Sequence, residues 1–543
     1  LSFGTKLHIM FKILIFILLA TKIVLATDPY PRNTNIDIQK YVFQLEVNDS
    51  TDVLAGVASV TVRFKKSISE FELDLIGKNN LGFGMTVSSV VMANIPVPFV
   101  HKNNRLKISV PQPVGAESEL TFVVFFSGIP EDGLIIGKNK YGDRGFFGDN
   151  WPDRGRHWLP TLDHPSDKSA VDFIVIAPHH YQVVANGIQV EESFVDEKRK
   201  LTHWREEVPI PVKVMVVGIA RFAVQQSGVV DNIPVESWVY PQNRAEGFYD
   251  YAAAVKVLEY FHQNIGPYSF KKLANVQSKT RWGGLENASA IFYAEKTVNG
   301  KGDHESLIAH EEAHQWFGNS ATENDWHHVW LSEGFATYFT SLYLEHAYGR
   351  ARLVEQQQKT RDQVIAYFKK NKAPIIDTTI TDINKVLSTN TYQKAGWVLH
   401  MLRYQLGDEL FWKGIRAYYK QYKGSNAMTT DFQKTMERES GKKLGLFFDQ
   451  WLYMGGHPEL LVKWGYSANT RQLTVEVNQT QPGIFFRFPL EVEFIGKNGQ
   501  KQLKTLQIDS SEQKIQLFTD FEPVGIVLDP NTWLLFEGKI QKK

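Results

Sequence analysis

Cysteine is absent from all 543 residues. Disulfides, thiolate metal sites, a cysteine nucleophile and a lipidated N-terminal cysteine are therefore excluded, and any metal must be held by histidine and carboxylate. Net charge is nearly missing too: 60 Lys and Arg stand against 59 Asp and Glu, which leaves no electrostatic footprint for nucleic acid. Long apolar runs are scarce. The longest lies within residues 10–26 (MFKILIFILLATKIVLA), where Lys22 cuts it short of the roughly 20 residues that a bilayer-spanning helix needs. There is no internal repeat and no low-complexity tract. What remains is a globular composition, 43% hydrophobic and 22% charged, in a chain long enough for about two to four domains.

The apolar run reads as a targeting segment. Lys12 precedes Ile13 to Ala20, and Val24-Leu25-Ala26 supplies the compact residues a signal peptidase favours, so cleavage before Thr27 is expected. Met10 is the first methionine and the expected natural start. The alternative is an uncleaved anchor. The expectation is export to a periplasm or the extracellular medium, with no stable membrane span after cleavage. An exported chain without disulfides fits a bacterial envelope better than a small disulfide-dense ectodomain.

Periodicity divides the rest into three. From about Ile36 to Phe222 the chain reads as short strands such as Val53–Phe64, Leu106–Val110 and Leu120–Phe126, rich in β-branched and aromatic residues and punctuated by Gly, Pro and Asn. From about Ala245 to Leu452 apolar residues recur at helical spacing, as in Tyr249–Phe261, Leu307–Phe317, Phe335–Tyr348, Leu353–Phe368 and Trp397–Leu406. Thr430 and Gln433 suggest a capping box for a helix over Phe432–Glu439. Gly455-Gly456-His457-Pro458 ends the helical pattern, and strand signals resume in Leu461–Trp464, Leu473–Val477, Leu490–Phe494 and Val524–Leu528. The prediction is a multidomain α+β chain. Residues 1–26 form the signal, 27–235 an N-terminal all-β domain, 236–455 a mainly helical catalytic domain and 456–543 a C-terminal β-sandwich.

The helical region contains His310-Glu311-Glu312-Ala313-His314. Residues i and i+4 of an α-helix leave the same face one turn apart, so both imidazoles can chelate one ion. Glu311 lies about 100° round from His310, close enough to reach a water in an open coordination position without itself being a ligand. Glu312 falls on the back of the helix. A lone match of this kind carries limited weight, and the bland reading is a solvated helix with salt-bridging side chains. Glu333 changes the balance. It follows His314 after eighteen intervening residues, at the start of another helical pattern. Two neutral imidazoles, one carboxylate and an open position are the ligand set of catalytic zinc, which points to metal-assisted amide hydrolysis with Glu311 as general base.

Upstream stands Gly283-Gly284-Leu285-Glu286-Asn287. Together with H-E-x-x-H-x18-E it resembles the zinc aminopeptidase family of aminopeptidase N and leukotriene hydrolase, whose marker is G-x-M-E-N. Gly266-Pro267-Tyr268, His314-Gln315-Trp316-Phe317-Gly318-Asn319, Trp330-Leu331-Ser332-Glu333-Gly334-Phe335-Ala336 and Tyr392-Gln393-Lys394 match in order and spacing, and the resemblance covers about residues 30 to 455. It implies a thermolysin-like catalytic domain, one Zn2+ per chain on His310, His314 and Glu333, and peptide substrates with a free N-terminus. It implies that Glu286, with Asn287, belongs to the substrate site and that Glu286 anchors the free amine. It implies that Tyr392 donates to the tetrahedral oxyanion. Gly283 and Gly284 would let a substrate backbone approach closely.

Four departures from the family pattern stand out. Leu285 replaces a methionine, and Ala395 stands where glycine is common. Glu312 occupies a usually apolar position, which calls for a partner or a raised pKa. The family also places a Gln or Glu from the first domain beside the substrate amine; here the stretch is Phe147 to Pro152, and Asp149 or Asn150 is expected to serve. His327 and His328 read as packing or capping residues rather than a second metal site, and Arg154 to Trp158 as an ion-paired loop. Beyond the second β region no helical pattern appears, whereas larger relatives carry a C-terminal helical domain; a more open cleft is the corresponding expectation. Two rival functions remain: epoxide or other hydrolysis on the same scaffold, and a catalytically inactive peptide-binding relative.

Overall fold

The computed structural model describes residues 28–110 and 114–543, so the expected signal lies outside the described residues. In the N-terminal part, an eight-stranded sheet runs in the order Ile188–Phe194, Arg199–Pro211, Lys168–Pro178, Ile36–Glu46, Leu54–Phe64, Ser118–Ile129, Gly84–Met92 and Ile95–Pro96. Alternation dictates its inner face: in Leu54–Phe64 every second residue from Leu54 to Phe64 is buried, as expected for a strand with one face on the core. A four-stranded sheet sits beside it in the order Gln182–Ala185, Val217–Ala220, Arg144–Gly148 and Leu134–Lys138. Strand Arg144–Gly148 runs directly into Asp149-Asn150-Trp151 and so carries that tripeptide toward the catalytic domain.

The next sheet has five strands: Ala223–Val230, Ile233–Val239, Leu273–Ser278, Ala290–Ala294 and Gly284–Leu285, in that order. Its three middle strands are parallel, and Gly284–Leu285 closes the edge antiparallel to Ala290–Ala294, with Leu285 opposite Phe292. The expected domain boundary at 235/236 therefore falls inside strand Ile233–Val239. Hairpin 223–239 extends the all-β reading by local pattern, but its parallel pairing to Leu273–Ser278 assigns it to the catalytic sheet.

Helices Ala254–Asn264, Glu305–Ala313, Trp330–Tyr348, Arg350–Phe368, Ala395–Leu406, Asp408–Tyr422 and Thr429–Ser440 follow. Trp330–Tyr348 is central, buried on nearly all sides as far as Leu344, as a helix apolar all round must be. The cap of Thr429–Ser440 differs from expectation: the Asp431 carboxylate accepts from the Met428 N–H at 2.8 Å, and Thr430 and Gln433 form no box. The C-terminal part is a sandwich of a four-stranded sheet, in which Glu459–Ser467 pairs with Gln472–Gln479 and Glu537–Lys542, and a three-stranded sheet centred on Phe488–Gly496. Among the described residues no helix is long and apolar enough to cross a membrane.

The first part grips the catalytic part close to the metal motif. Lys213 and Glu323 form a buried ion pair, with the ammonium 5.5 Å from the Trp326 ring centre. The Lys168 ammonium donates to the carbonyls of Asn319 (3.1 Å) and Ser320 (2.7 Å). Asp28 accepts from the Trp326 N–H at 3.0 Å and pairs with His164 at 2.9 Å, tying the N-terminal segment to the turn before the Glu333 helix.

Candidate active site

Helix Glu305–Ala313 ends with His314 as its C-cap, and the His314 N–H still donates to the His310 carbonyl at 3.4 Å, so both imidazoles share one face. Helix Trp330–Tyr348 packs alongside and presents Glu333 in its first turn. The three side chains converge. His310 Nε2 and His314 Nε2 are 3.3 Å apart, and Glu333 Oε2 is 3.5 Å from the first and 3.3 Å from the second. A tetrahedral site with metal–ligand bonds of about 2.0–2.1 Å has edges of about 3.3 Å. The triangle thus fits one small divalent ion.

The surroundings agree with that fit. His314 Nδ1–H donates to Ser332 Oγ at 3.0 Å and to the Phe317 carbonyl at 3.2 Å, which fixes the tautomer and leaves Nε2 as the ligand atom. Burial opposes an imidazolium at His314, yet the carboxylates of Glu333, Glu286 and Glu311 push it up to about 9. Against its own burial, Glu333 is held below the usual carboxylate range by the two histidines. This is a locus that attracts positive charge.

Glu311 and Tyr392 flank the triangle. Burial raises the Glu311 carboxyl well above its ordinary value; His314 opposes this, while Glu286 and Glu333 add to it. The absent side chain of Gly284 leaves the space that the Glu311 carboxylate fills: a Cβ there would fall inside its van der Waals surface. Gly283 has no such contact, its nearest neighbours being the Leu307 methyls at 3.9 Å. Of the two glycines, only Gly284 is demanded by the packing, and by Glu311 before any substrate. Tyr392 lies on a π-helical turn, Asn390–Lys394, leading into helix Ala395–Leu406, the kind of local widening often met at functional sites. Its ring is roughly parallel to His310, 6.1 Å away between centres. Burial first, and then Glu333, Glu286 and Glu311, hold the phenol protonated. The Ala395 methyl is tolerated because Gly334 faces it; a Cβ on Gly334 would stand 2.5 Å from it.

Glu286 lines the same cavity, and its buried Oε1 has no partner among the described residues. Two residues not singled out by the sequence reading hold its loop: Gln315 Nε2 donates to the Glu286 carbonyl at 2.9 Å and Asn319 Nδ2 to the same oxygen at 2.6 Å. Their only signal was a place in the contiguous His314–Asn319 match. Asn287 is fully buried and does not line the cavity.

The first-domain assignment needs correction. Asp149 is fully buried, paired with Arg154, and its Oδ2 accepts from Thr280 Oγ1 and the Arg281 N–H, each at 3.2 Å. Asn150 donates to the Val212 and Met215 carbonyls and accepts from Trp158 Nε1. Neither is free to hold a substrate. Beyond Gly148 the chain leaves the strand and turns, and it is Trp151 that enters the cavity. Glu312 is 0% exposed, neither carboxylate oxygen has a partner among the described residues, and burial raises its pKa well above the usual value. His327 and His328 are used structurally, bonding the Ile380 carbonyl (2.9 Å) and Thr429 Oγ1 (2.7 Å).

Comparison with known proteins agrees with this arrangement. Residues 249–451 match the peptidase family M1 domain, and residues 38–212 match the peptidase M1 N-terminal domain. The chain belongs to the M1 peptidase family. It is 25% identical over 522 residues to probable aminopeptidase 2 of Sulfurisphaera tokodaii, a match that covers 91% of this chain and 63% of that protein. Glutamyl aminopeptidase of Mus musculus is 24% identical over 405 residues, 70% of this chain and 41% of its own length. The human glutamyl aminopeptidase is 28% identical over 363 residues, 62% of this chain and 37% of its own length. The chain thus spans less than two thirds of these M1 relatives. The M1 peptidase match places the metal triangle, Glu311 and Tyr392 all inside the matched catalytic domain.

Proposed function

We propose that the protein is an exported zinc aminopeptidase that hydrolyses the N-terminal peptide bond of peptides. The observation that carries the reading is the convergence of His310, His314 and Glu333 at tetrahedral edge lengths, in one cavity with a buried carboxylate oxygen of Glu286 that has no partner among the described residues. When bound by these three residues, zinc supplies a Lewis acid that polarises the scissile carbonyl and acidifies a water.

The remaining chemistry belongs to the chain. Glu286 Oε1 accepts from the substrate ammonium and fixes it one residue from the attacked carbonyl. Gly284–Leu285, at the edge of its sheet, aligns the substrate main chain. Glu311, whose raised pKa suits proton uptake, takes the proton of the attacking water and hands it to the leaving amine. The Tyr392 phenol donates to the developing oxyanion.

The three carboxylates around the cavity favour a cationic amine over an apolar epoxide, and the complete set of chemical groups is more than an inactive binding protein requires. Residues 10–26 direct export and are removed before Thr27; N-terminal sequencing of the secreted protein tests this. For the activity, aminoacyl p-nitroanilides are offered with free and N-acetylated amines. Cleavage of the free forms alone supports the reading. Equal cleavage of both refutes the exopeptidase assignment, and no cleavage with zinc loaded refutes hydrolysis.

A further inference from the structure

The cavity over the metal triangle is small, about 50 Å³, and opens to solvent. A closed cavity of about 150 Å³ is what admits a benzene ring, so an aromatic or large aliphatic side chain cannot be taken into this one without displacing a wall. Two indoles set the limit. Trp151 comes from the end of the first-domain strand and Trp282 from the loop before Gly283; their rings are nearly perpendicular at 79°, with centres 6.2 Å apart. Trp151 is 3% exposed and is backed by Trp326 at 5.5 Å, so it cannot yield. Trp282 is 39% exposed and forms the lip. Leu285 and Leu387 complete the apolar wall.

Charge narrows the choice further. Three carboxylates, Glu286, Glu311 and Glu333, line the cavity, and no lysine or arginine does so among its lining residues. The nearest arginine in sequence, Arg281, is engaged by Asp132 at 3.1 Å. With Glu333 given over to the metal and Glu286 to the substrate ammonium, an acidic first side chain finds no lysine or arginine among the lining residues to offset its desolvation.

Resting on the aminopeptidase reading above, we propose that the enzyme selects peptides whose first residue is small and uncharged, such as glycine, alanine or serine, and that Trp151 and Trp282 impose this limit. It therefore differs from the glutamyl preference in the names of two of its relatives. Exclusion by size is worth a factor of about 10–200 per misfitting group in a pocket of this kind.

The test is a panel of Gly, Ala, Ser, Leu, Phe and Glu amides of one fluorogenic leaving group, with wild-type protein and Trp282→Ala. Trp282 is the residue to change because Trp151 is embedded and its replacement risks the fold; circular dichroism checks that the variant is folded. In wild type, kcat/KM for Ala exceeds that for Leu, Phe and Glu by at least about tenfold. In Trp282→Ala the Leu/Ala and Phe/Ala ratios rise by about tenfold or more, while Glu/Ala does not, because the substitution adds no cationic partner. A wild-type preference for Leu, Phe or Glu overturns the proposal, as does a Leu/Ala ratio unchanged by the substitution. Failure to cleave any free amide instead overturns the aminopeptidase reading, and this proposal falls with it. Binding supplies an independent readout: Glu311→Gln protein binds an Ala-initiated tripeptide more tightly than a Leu-initiated one, and the reverse order contradicts the proposal.

Discussion

Four carboxyl groups crowd the catalytic cleft and its supporting helix, and each has a different environment. Glu333 is held ionised by two histidines and Glu311 has its pKa raised by burial, while among the described residues Glu286 keeps an oxygen free for a donor and Glu312 is sealed in the core without a partner. In the proposed mechanism, environment and not residue type thus separates ligand, base, anchor and structural acid. Two results follow. Glu311→Gln keeps the metal triangle and loses about 10²–10⁴ in kcat, measured with metal content assayed in parallel; a rate close to wild type refutes the general-base role. Glu286→Ala raises KM for free-amine substrates and shrinks their advantage over N-acetylated ones by tenfold or more, in keeping with the loss of a buried charged hydrogen bond of about 1.5–3 kcal/mol. Unchanged discrimination means that the amine is held elsewhere.

Helix and sheet geometry decides which of these roles can be read from the chain. His310 and His314 were legible because i and i+4 on one helix is a local relation, and Glu333 because its spacing belongs to one family pattern. Hairpin 223–239 was not, since its allegiance is set by parallel pairing to residues 273–276, beyond any local pattern. Asp149 failed because its partners are not local: Arg154, Thr280 Oγ1 and the Arg281 N–H engage its carboxylate, and the turn that follows brings Trp151 into the cavity instead. Glu312 was legible as an anomaly, and of its expected outcomes the raised pKa, not a partner, is found. The junction between elements carries its own prediction. Lys213, in the short helix Val212–Val214, and Glu323, in strand Ala321–Glu323, form a buried ion pair across the two parts. Lys213→Met leaves Glu323 uncompensated and costs about 3–5 kcal/mol, whereas Lys213→Met with Glu323→Leu costs much less. Chemical denaturation of the three proteins checks this, and a double variant as unstable as the single one contradicts it.

Across the whole molecule, the C-terminal sandwich is bound to the catalytic part by a histidine that must stay neutral. His400 is fully buried on helix Ala395–Leu406, with Nε2 2.8 Å from the Thr532 carbonyl and Nδ1 3.1 Å from Tyr338 Oη, stacked on Trp533. Burial pushes its pKa down to about 3, against hydrogen bonding to Thr532. The unfolded chain takes up the proton near pH 6.5 and the folded chain only near pH 3. The stabilisation is therefore complete above about pH 6.5 and is lost progressively as pH falls toward 3, reaching about 2 kcal/mol by pH 5. Thermal melts of wild type and His400→Gln from pH 7.5 to 5 compare the two: the variant shows the shallower acid decline, and parallel declines contradict the assignment.

The most direct measurement concerns the metal. Protein stripped by a chelator is titrated with zinc while metal content and cleavage of an alanyl p-nitroanilide are followed together. Activity rises linearly to one equivalent of zinc and then stops, and the same titration on Glu333→Ala gives neither tight binding nor turnover. Turnover that survives complete removal of metal, or tight zinc binding that persists without Glu333, contradicts the account.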